Sequence, residues 1–329
     1  MTAAPGPSAQ PRPSAPARLR LGTRKSPMAM AQAQQVARLI TERTGCEVEL
    51  TGITTFGDVS RAQLAQIGGT GVFVSGLRAR LLDGDIDVAV HSLKDLPVAQ
   101  PQGIELAAVP ARDDPRDALA ARDGAKLADL PPGARIGTGS PRRAAQLLLL
   151  RPDVRPVPVR GNAGTRLAKV GSGEVDAVVL AFAGLARIGR LDAVTQVFEP
   201  DEMLPAPGQG ALAVECRSGR PEFAALLACA DDAASRAAST AERSLLAALQ
   251  AGCSAPVGGY AAGAGELRLR AVVVAADGGT ALRASAGGPA GEAERLGRQV
   301  AAELLRRGAG RYTAVSAGMA GHISNGDDD

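Results

Sequence analysis

The same short pattern opens two separate stretches of the chain. Residues 19–33 read LRLGTRKSPMAMAQA, and residues 134–148 read ARIGTGSPRRAAQLL. Each combines a short strand-like segment, a Gly-Thr pair and a Ser-Pro pair directly before a helical pattern. Serine is a favoured N-cap and proline suits the first helical position, so each stretch predicts a strand that leads into a capped helix. The pattern indicates two α/β domains, each directing a helix N-terminus toward a shared space.

The intervening sequence continues the alternation of strands and helices. The first helix is predicted to end at Gly45, and residues 47–53 alternate as a strand. The glycine-rich residues 67–76 predict a mobile loop, followed by a helix to Leu82 and a strand over residues 86–90.

The rest of the chain predicts the second domain and a third, smaller α+β unit. Residues 204–210 (LPAPGQG) predict a connector, and residues 211–216 a strand. The remaining predicted elements are strands over residues 154–159, 176–180 and 267–275, a helix over residues 235–251 closed by Gly252, and a helix over residues 292–307.

Composition excludes several classes of protein. The formal net charge is only +3, which disfavours a nucleic-acid-binding protein that works by neutralising many phosphates. Aromatic residues make up 2%, which disfavours a single-strand binder that stacks bases on aromatic rings. The four cysteines are widely scattered and there are two histidines, so we expect no zinc site and a reducing compartment. No apolar run is long enough for a membrane helix, and residues 1–17 lack the apolar region of a secretory signal. We expect a cytoplasmic protein with disordered ends at residues 1–17 and 321–329.

Arginines recur at the ends of predicted strands and helices. Arg142 and Arg143 lie in a first helical turn, where a cation opposes the helix dipole, and such violations often mark functional sites. Guanidinium groups beside helix N-termini favour anions. Spacing alone does not separate carboxylate from phosphate, and any single arginine could be solvated surface. The positions concerned are Arg24, Arg142, Arg143, Arg160, Arg166 and Arg187.

A carboxylate and a cysteine stand out as candidate reactive groups. Asp95 follows a predicted strand in VHSLKDLP, where it could work as an acid, a base or a charge stabiliser. Since Ser92-x-x-Asp95 also matches a capping box, Asp95 could instead cap a turn. Cys253 follows a helix C-terminus, which does not lower a thiol pKa, so it could also be an inert small side chain. We expect His91 to be structural, and Cys46, Cys216 and Cys229 to be buried.

These segments together resemble the porphobilinogen deaminase (hydroxymethylbilane synthase) family. The similarity is strong over residues 18–262 and weaker beyond. The motifs that carry it, in chain order, are LRLGTRKSPMAMAQA, VHSLKDLP, ARDDPRDAL, IGTGSPRRAAQL, VRGNAGTRLAKV, GEVDAVVLAFAGLARIG, LPAPGQGALAVECR and AERSLLAALQAGCSAPVGGYA.

The resemblance implies an α/β protein with two domains like type II periplasmic binding proteins and a smaller α+β C-terminal domain. It implies a transferase that joins four porphobilinogen molecules head to tail with loss of ammonia and then releases hydroxymethylbilane by hydrolysis. The implied domains are residues 18–112 with 211–229, residues 113–210, and residues 230–320. A monomer that passes its product to the next enzyme of the pathway is expected, with no nucleic-acid, membrane or metal partner.

The resemblance also assigns roles to individual residues. A dipyrromethane cofactor would be attached through a thioether to Cys253, and Asp95 would be the catalytic carboxylate. The residues expected to bind cofactor and substrate carboxylates are Arg24, Ser26, Lys94, Thr138, Ser140, Arg142, Arg143, Arg160, Arg166 and Arg187.

One segment departs from the family pattern. The family often has GGKGLFVKELE where this chain has GGTGVFVSGLR, so Thr70 and Ser75 stand in place of lysines and Gly76 in place of a glutamate. A cationic contact from this loop is therefore not expected. The rival hypothesis is a non-catalytic anion-binding protein with the same two-domain fold, which would need neither Cys253 nor Asp95.

Overall fold

The structure, a computed structural model, describes residues 18–54, 71–252 and 255–313. These residues fall into two compact units. The first unit comprises the described parts of Met1–His91, Gln100–Ala111 and Leu212–Asp232. The second comprises the described parts of Ser92–Ala99, Arg112–Ala211 and Ala233–Asp329.

Helices and strands alternate through most of the chain. The strands are β1 (Arg18–Arg24), β2 (Glu47–Ile53), β3 (Val88–Ser92), β4 (Ile104–Ala108), β5 (Asp117–Ala121), β6 (Arg135–Gly137), β7 (Arg155–Val157), β8 (Ala177–Ala181), β9 (Gln196–Val197), β10 (Leu212–Arg217), β11 (Val257–Ala262), β12 (Glu266–Val274) and β13 (Ala281–Pro289). The helices are α1 (Pro27–Thr44), α2 (Gly71–Asp83), α3 (Pro141–Leu150), α4 (Ala163–Gly171), α5 (Phe182–Arg187), α6 (Pro221–Leu227), α7 (Ala233–Ala248), α8 (Ala293–Arg306) and α9 (Gly310–Thr313).

The first unit is built on a mixed sheet in the order β2-β1-β3-β10-β4. Strand β1 runs parallel to both β2 and β3, and β10 runs antiparallel to β4. One face of the sheet packs on α1, where Leu19 and Leu21 of β1 meet Val36 and Ile40 in a buried apolar cluster. This burial is the main driving force for placing α1 on the sheet.

The second unit contains a sheet of the same design, in the order β7-β6-β8-β5-β9. Strand β6 is parallel to β7 and β8, and β5 is antiparallel to β8 and β9. In both sheets the strand that precedes the Ser-Pro helix lies between the next two parallel strands. Ser26 and Ser140 both cap their helices, as predicted, accepting backbone hydrogen bonds from Ala29 and Arg143.

The second unit also contains a separate antiparallel sheet, β11-β12-β13, covered by α7 and α8. Ala145 of α3 and Leu204 pack against Val272 and Val274 of β12, which ties this sheet to the rest of the unit. The α/β class with a smaller sheet-rich C-terminal part is confirmed, while the three domain boundaries remain predictions.

Three local predictions were wrong. Residues 71–76 belong to helix α2, because Val74, Leu77 and Leu81 recur at helical spacing and are buried; residues 67–70 of the predicted loop lie outside the described residues. Helix α7 ends at Ala248, and the left-handed turn after it is made by Gln250, with φ of 51°, rather than by Gly252. Cys229 is half-buried, whereas Cys46 and Cys216 are buried as expected.

Candidate functional site

The side chains of two arginines at the start of α3 are buried and form ion pairs with the same carboxylate. Arg142 and Arg143 are only 3% and 6% exposed. Arg142 Nη1 lies 2.6 Å from Asp117 Oδ2, and Arg143 donates from Nε and Nη2 to Asp117 Oδ1 at 3.0 and 2.8 Å. Asp117 is the first residue of β5 and is fully buried. The unfavourable position of these cations in a first helical turn is therefore offset by a buried ion pair.

The electrostatics of this cluster keep Asp117 ionised. Burial by itself raises the pKa of Asp117, but Arg142, Arg143 and the Gln209 amide outweigh it and hold that pKa well below its ordinary value. Burial lowers the pKa of Arg142, and its Nε atom has no hydrogen-bond partner among the described residues. A buried, unsatisfied donor is costly and suits an anionic ligand.

Lys94 extends the cluster from the turn that follows β3. Its Nζ donates to Gln209 Oε1 at 3.2 Å. Burial, followed by the nearby charge of Arg143, lowers the pKa of Lys94 to about 8, although Asp95 and Asp117 act in the opposite direction. Within the described part of the chain, Lys94 and the two α3 arginines set three cationic groups against the carboxylates of buried Asp117 and exposed Asp95, which leaves a positive surplus for anions.

Asp95 lies at the end of the same turn with its carboxylate exposed. The Ser92 side chain makes no capping hydrogen bond, and Asp95 forms no hydrogen bond or ion pair within the described part of the chain. A second turn of similar sequence, Leu127–Asp129, shows the capping alternative. There Asp129 Oδ2 accepts a hydrogen bond from the Lys126 backbone at 3.0 Å. The capping-box interpretation of Asp95 is not supported.

The other predicted arginines of the second unit have different surroundings. Arg187 is paired with Asp113 at 2.7 Å and donates to the Gly210 carbonyl. Arg166 donates to the Gly161 carbonyl, and its pKa is lowered by burial and then by Arg143. Arg160 is exposed, with no hydrogen bond or ion pair to the residues described. Arg160 and Arg166 therefore have no carboxylate partner within the described structure, unlike the paired arginines.

The remaining predicted residues lie elsewhere or have local partners. Thr138 Oγ1 accepts from the Ser140 backbone at 3.2 Å, so both hydroxyls shape the α3 N-terminus. Arg24 ends β1 and Ser26 caps α1, both in the first unit. Cys253 lies outside the described residues, so its predicted role remains a prediction.

Two important members of the cluster were missed by sequence reasoning. Asp117 was included only as part of the motif ARDDPRDAL and was given no role, although a charged residue that opens a buried strand is a signal for a buried partner. Gln209 lies between two glycines in the predicted connector, and a polar residue so placed could have been noticed. A cavity of about 560 Å³ lined by Arg270, Arg283 and Glu303 contains none of the predicted site residues.

Sequence comparisons settle the family. The profile described as "Porphobilinogen deaminase, dipyromethane cofactor binding domain" matches residues 19–225. The profile described as "Porphobilinogen deaminase, C-terminal domain" matches residues 237–306. The chain belongs to the porphobilinogen deaminase family. It therefore contains a dipyrromethane cofactor binding domain, and the resemblance found in the sequence is confirmed.

Named relatives cover nearly the whole length of this family member. Porphobilinogen deaminase of Thermobifida fusca is 60% identical over 310 residues, which span 91% of this chain and 96% of the relative. Porphobilinogen deaminase 1 of Streptomyces coelicolor is 56% identical over 305 residues, spanning 88% and 96%.

Likeness to solved structures is weaker. The methionine-binding protein MetQ has a TM-score of 0.41 at 12% identity, covering 64% of this chain and 90% of its own. An ancestral cationic amino acid solute-binding protein has a TM-score of 0.43 at 18% identity, covering 64% and 87%. Such values indicate neither ligand nor activity.

The residues of the cluster fit the cofactor that the family carries. A dipyrromethane with acidic side chains is an anion, and Lys94, Arg142 and Arg143 offer it the positive surplus and the unsatisfied donor described above. Within the described residues, no group of three or more His, Cys, Asp or Glu could hold a metal ion, and no helix is long and apolar enough to cross a membrane.

Proposed function

We propose that this chain is a porphobilinogen deaminase. It joins four porphobilinogen molecules head to tail onto an enzyme-bound dipyrromethane, releases one ammonia at each step, and finally hydrolyses off hydroxymethylbilane. The observation that carries the proposed chemistry is the exposed, uncapped carboxylate of Asp95 beside the cationic cluster of Lys94, Arg142 and Arg143. Family membership supplies the reaction class.

The substrate explains the cations. Each pyrrole unit bears an acetate and a propionate, so the growing product is a polyanion. Guanidinium groups bind carboxylates through paired hydrogen bonds, and Arg160 and Arg166 are the best placed for this, since no carboxylate of the described residues neutralises them. Three other arginines already pair with a carboxylate of the protein: Arg142 and Arg143 with Asp117, and Arg187 with Asp113. They contribute to substrate binding mainly through their positive electrostatic potential and through N–H groups that are not already hydrogen-bonded.

Asp95 supplies the proton transfers. Its carboxyl group gives a proton to the amine of porphobilinogen, and the C–N bond breaks to release ammonia. The resulting cation is stabilised by the carboxylate charge. After the new C–C bond forms to the methylene carbon of this cation, the pyrrole ring carbon that made the bond loses its proton to the same carboxylate, which restores Asp95 for the next addition.

The cofactor is assigned to Cys253 by the matching motif alone. When bound, the dipyrromethane supplies the ring carbon to which the first substrate is joined. Lys94, Arg142 and Arg143 would hold its acidic groups. The other cysteines are poor candidates for attachment, because burial raises the pKa of the Cys46 and Cys229 thiols and raises that of Cys216 to about 12.

Asp95 is tested against a matched control. We expect Asp95→Asn to abolish turnover while the fold survives, because the amide neither transfers the proton nor carries the charge. Asp95→Glu is expected to retain slow turnover and to accumulate bound intermediates, seen as a ladder in intact mass spectra. Asp129→Asn, at the equivalent position of a capping turn, should leave turnover unchanged.

Near-normal turnover in Asp95→Asn would remove Asp95 from the mechanism. Nothing observed favours the rival hypothesis of a non-catalytic anion-binding protein. We further propose a cytoplasmic monomer that passes its product to the next enzyme, on the strength of the scattered cysteines and the family resemblance.

A further inference from the structure

The Gln209 side chain connects the two oppositely charged parts of the cluster. It is fully buried. Its Oε1 accepts hydrogen bonds from Lys94 Nζ at 3.2 Å and from Arg143 Nη2 at 3.4 Å. Its Nε2 donates to the Pro115 carbonyl at 2.7 Å and to Asp117 Oδ1 at 2.8 Å.

The polarity of these contacts requires an amide in one orientation. Its acceptor end faces the cations Lys94 and Arg143, and its donor end faces a carbonyl and the Asp117 carboxylate. Rotating the amide would set donors against cations and an oxygen against a carboxylate, each of which is repulsive. A neutral side chain with a donor and an acceptor on one planar group satisfies both ends, whereas glutamate or lysine satisfies one.

The backbone on both sides of Gln209 is fixed. Gly208 has φ of 76° and donates its N–H to Glu242 Oε2 at 2.6 Å. Gly210 has φ of 87°, and a Cβ there would lie 2.4 Å from the Asp113 carbonyl oxygen. Its own carbonyl accepts from Arg187 at 2.8 Å. The Gly-Gln-Gly sequence is therefore built to direct this amide inward.

We infer that Gln209 is a positioning residue that holds the Lys94 ammonium at the anion-binding cluster and bridges it to Asp117, so that the Lys94 charge is oriented toward incoming carboxylates. This role in turnover rests on the proposed function. The hydrogen bond itself does not, and it can be measured without any catalysis.

The charge of Lys94 is sensitive to this bond. The charged groups that face Lys94 are Arg142 and Arg143 of α3, Asp117 of β5 and Asp95 of its own turn. Burial and the two arginines oppose its protonation, and the hydrogen bond to Gln209 Oε1 adds to the support that Asp95 and Asp117 give the ammonium. Removing the acceptor should lower the pKa of Lys94, and adding a negative charge there should raise it.

The sequence makes a direct titration feasible, since it contains only four lysines: Lys25, Lys94, Lys126 and Lys169. The full chain labelled with ¹³C at lysine Cε would be titrated by NMR, with the Lys94 signal assigned by its loss in Lys94→Arg. The other three lysines serve as internal references. The variants are Gln209→Met, which keeps the shape without polar atoms, and Gln209→Glu, which adds a charge.

We expect the two variants to shift the Lys94 titration in opposite directions, to lower pH in Gln209→Met and to higher pH in Gln209→Glu, each by about one pH unit or more. The matched control is Gln146→Leu. Gln146 is equally buried and its amide bonds to Leu204, not to Lys94. The Gln146→Leu variant should be less stable than the wild type, but Lys94 should titrate at the same pH as in the wild type.

An unmoved Lys94 titration in Gln209→Met, or a shift in the same direction in both variants, would overturn the inference. If Gln209→Met does not fold, Gln209→Ala, which also removes the acceptor, is titrated in its place. The alkaline limb of the pH profile for substrate KM should follow the same shifts. If the wild type proves inactive, the proposed function fails while the titration still tests the positioning role.

Discussion

Replacing Asp117 with asparagine would remove the carboxylate that is paired with both Arg142 and Arg143 at the start of α3. Asparagine has nearly the same shape, so packing is preserved and only the charge is lost. The side chains of Arg142 and Arg143 are 4% and 7% exposed, which leaves little water to compensate. Two buried guanidinium groups would then lack a counter-charge.

The expected cost is large. Removing one partner of a buried ion pair costs about 3–5 kcal/mol, and Asp117 has two such partners, so we expect a loss at the upper end of that range. A typical domain has a free energy of unfolding of about 5–15 kcal/mol, so the variant should be folded but strongly destabilised. The pair of half-buried Arg151 and exposed Asp153 provides the control, because ion pairs at the surface contribute about 0–1 kcal/mol.

The effect should also depend on pH in a defined way. The pKa of Asp117 is lowered in the folded state, so its stabilisation is present above its unfolded pKa of about 3.9 and is lost as pH falls through the folded value. The difference between wild type and Asp117→Asn should therefore be constant at neutral pH and shrink in strong acid.

Urea unfolding followed by circular dichroism measures the change, since the chain has no tryptophan for fluorescence. A chain with more than one compact unit need not unfold in a single two-state transition. Hydrogen exchange of the β5 amides would therefore show whether the loss of stability is localised to the second unit. If Asp117→Asn costs no more than Asp153→Asn, the argument that this carboxylate holds the two arginines is refuted.

Three further outcomes are expected. The purified protein should exceed its sequence mass by one dipyrromethane. Cys253→Ala should lose that mass and all turnover, whereas Cys46→Ala should lose neither. An active enzyme of unmodified mass would contradict the assignment of the cofactor to Cys253. Substrate KM should rise above about pH 8 as Lys94 loses its proton. Lys94→Arg should move that rise to higher pH, because arginine keeps its charge. If the pH profile of KM is unchanged in the variant, Lys94 is not the group that causes the rise. Arg160→Leu should raise KM by about 10-fold or more, as expected for a charged hydrogen bond of about 1.5–3 kcal/mol, while Arg307→Leu should not; equal effects would indicate that Arg160 is only solvated surface.

Local chemistry determined much of what could be predicted from the sequence. The Ser-Pro pairs fixed the starts of α1 and α3, because capping and proline geometry act within a few residues. The family followed from motifs in order along the chain. The glycines of residues 67–76 misled the prediction. Gly71 and Gly76 lie within α2, because the burial of Val74, Leu77 and Leu81 outweighs the low helix propensity of glycine.

Tertiary structure alone decided which charges meet. Asp117 lies 25 residues before Arg142, and Gln209 lies 115 residues after Lys94, so no local pattern could pair them. The tertiary structure also distinguished Asp95 from Asp129, although the two lie in turns of similar sequence. Asp95 is exposed and caps nothing, whereas the Asp129 side chain accepts a capping hydrogen bond. Sequence supplied the residue types that can carry the chemistry. Burial and long-range packing set their partners and their pKa values, because desolvation and Coulomb interactions depend on the whole surrounding structure.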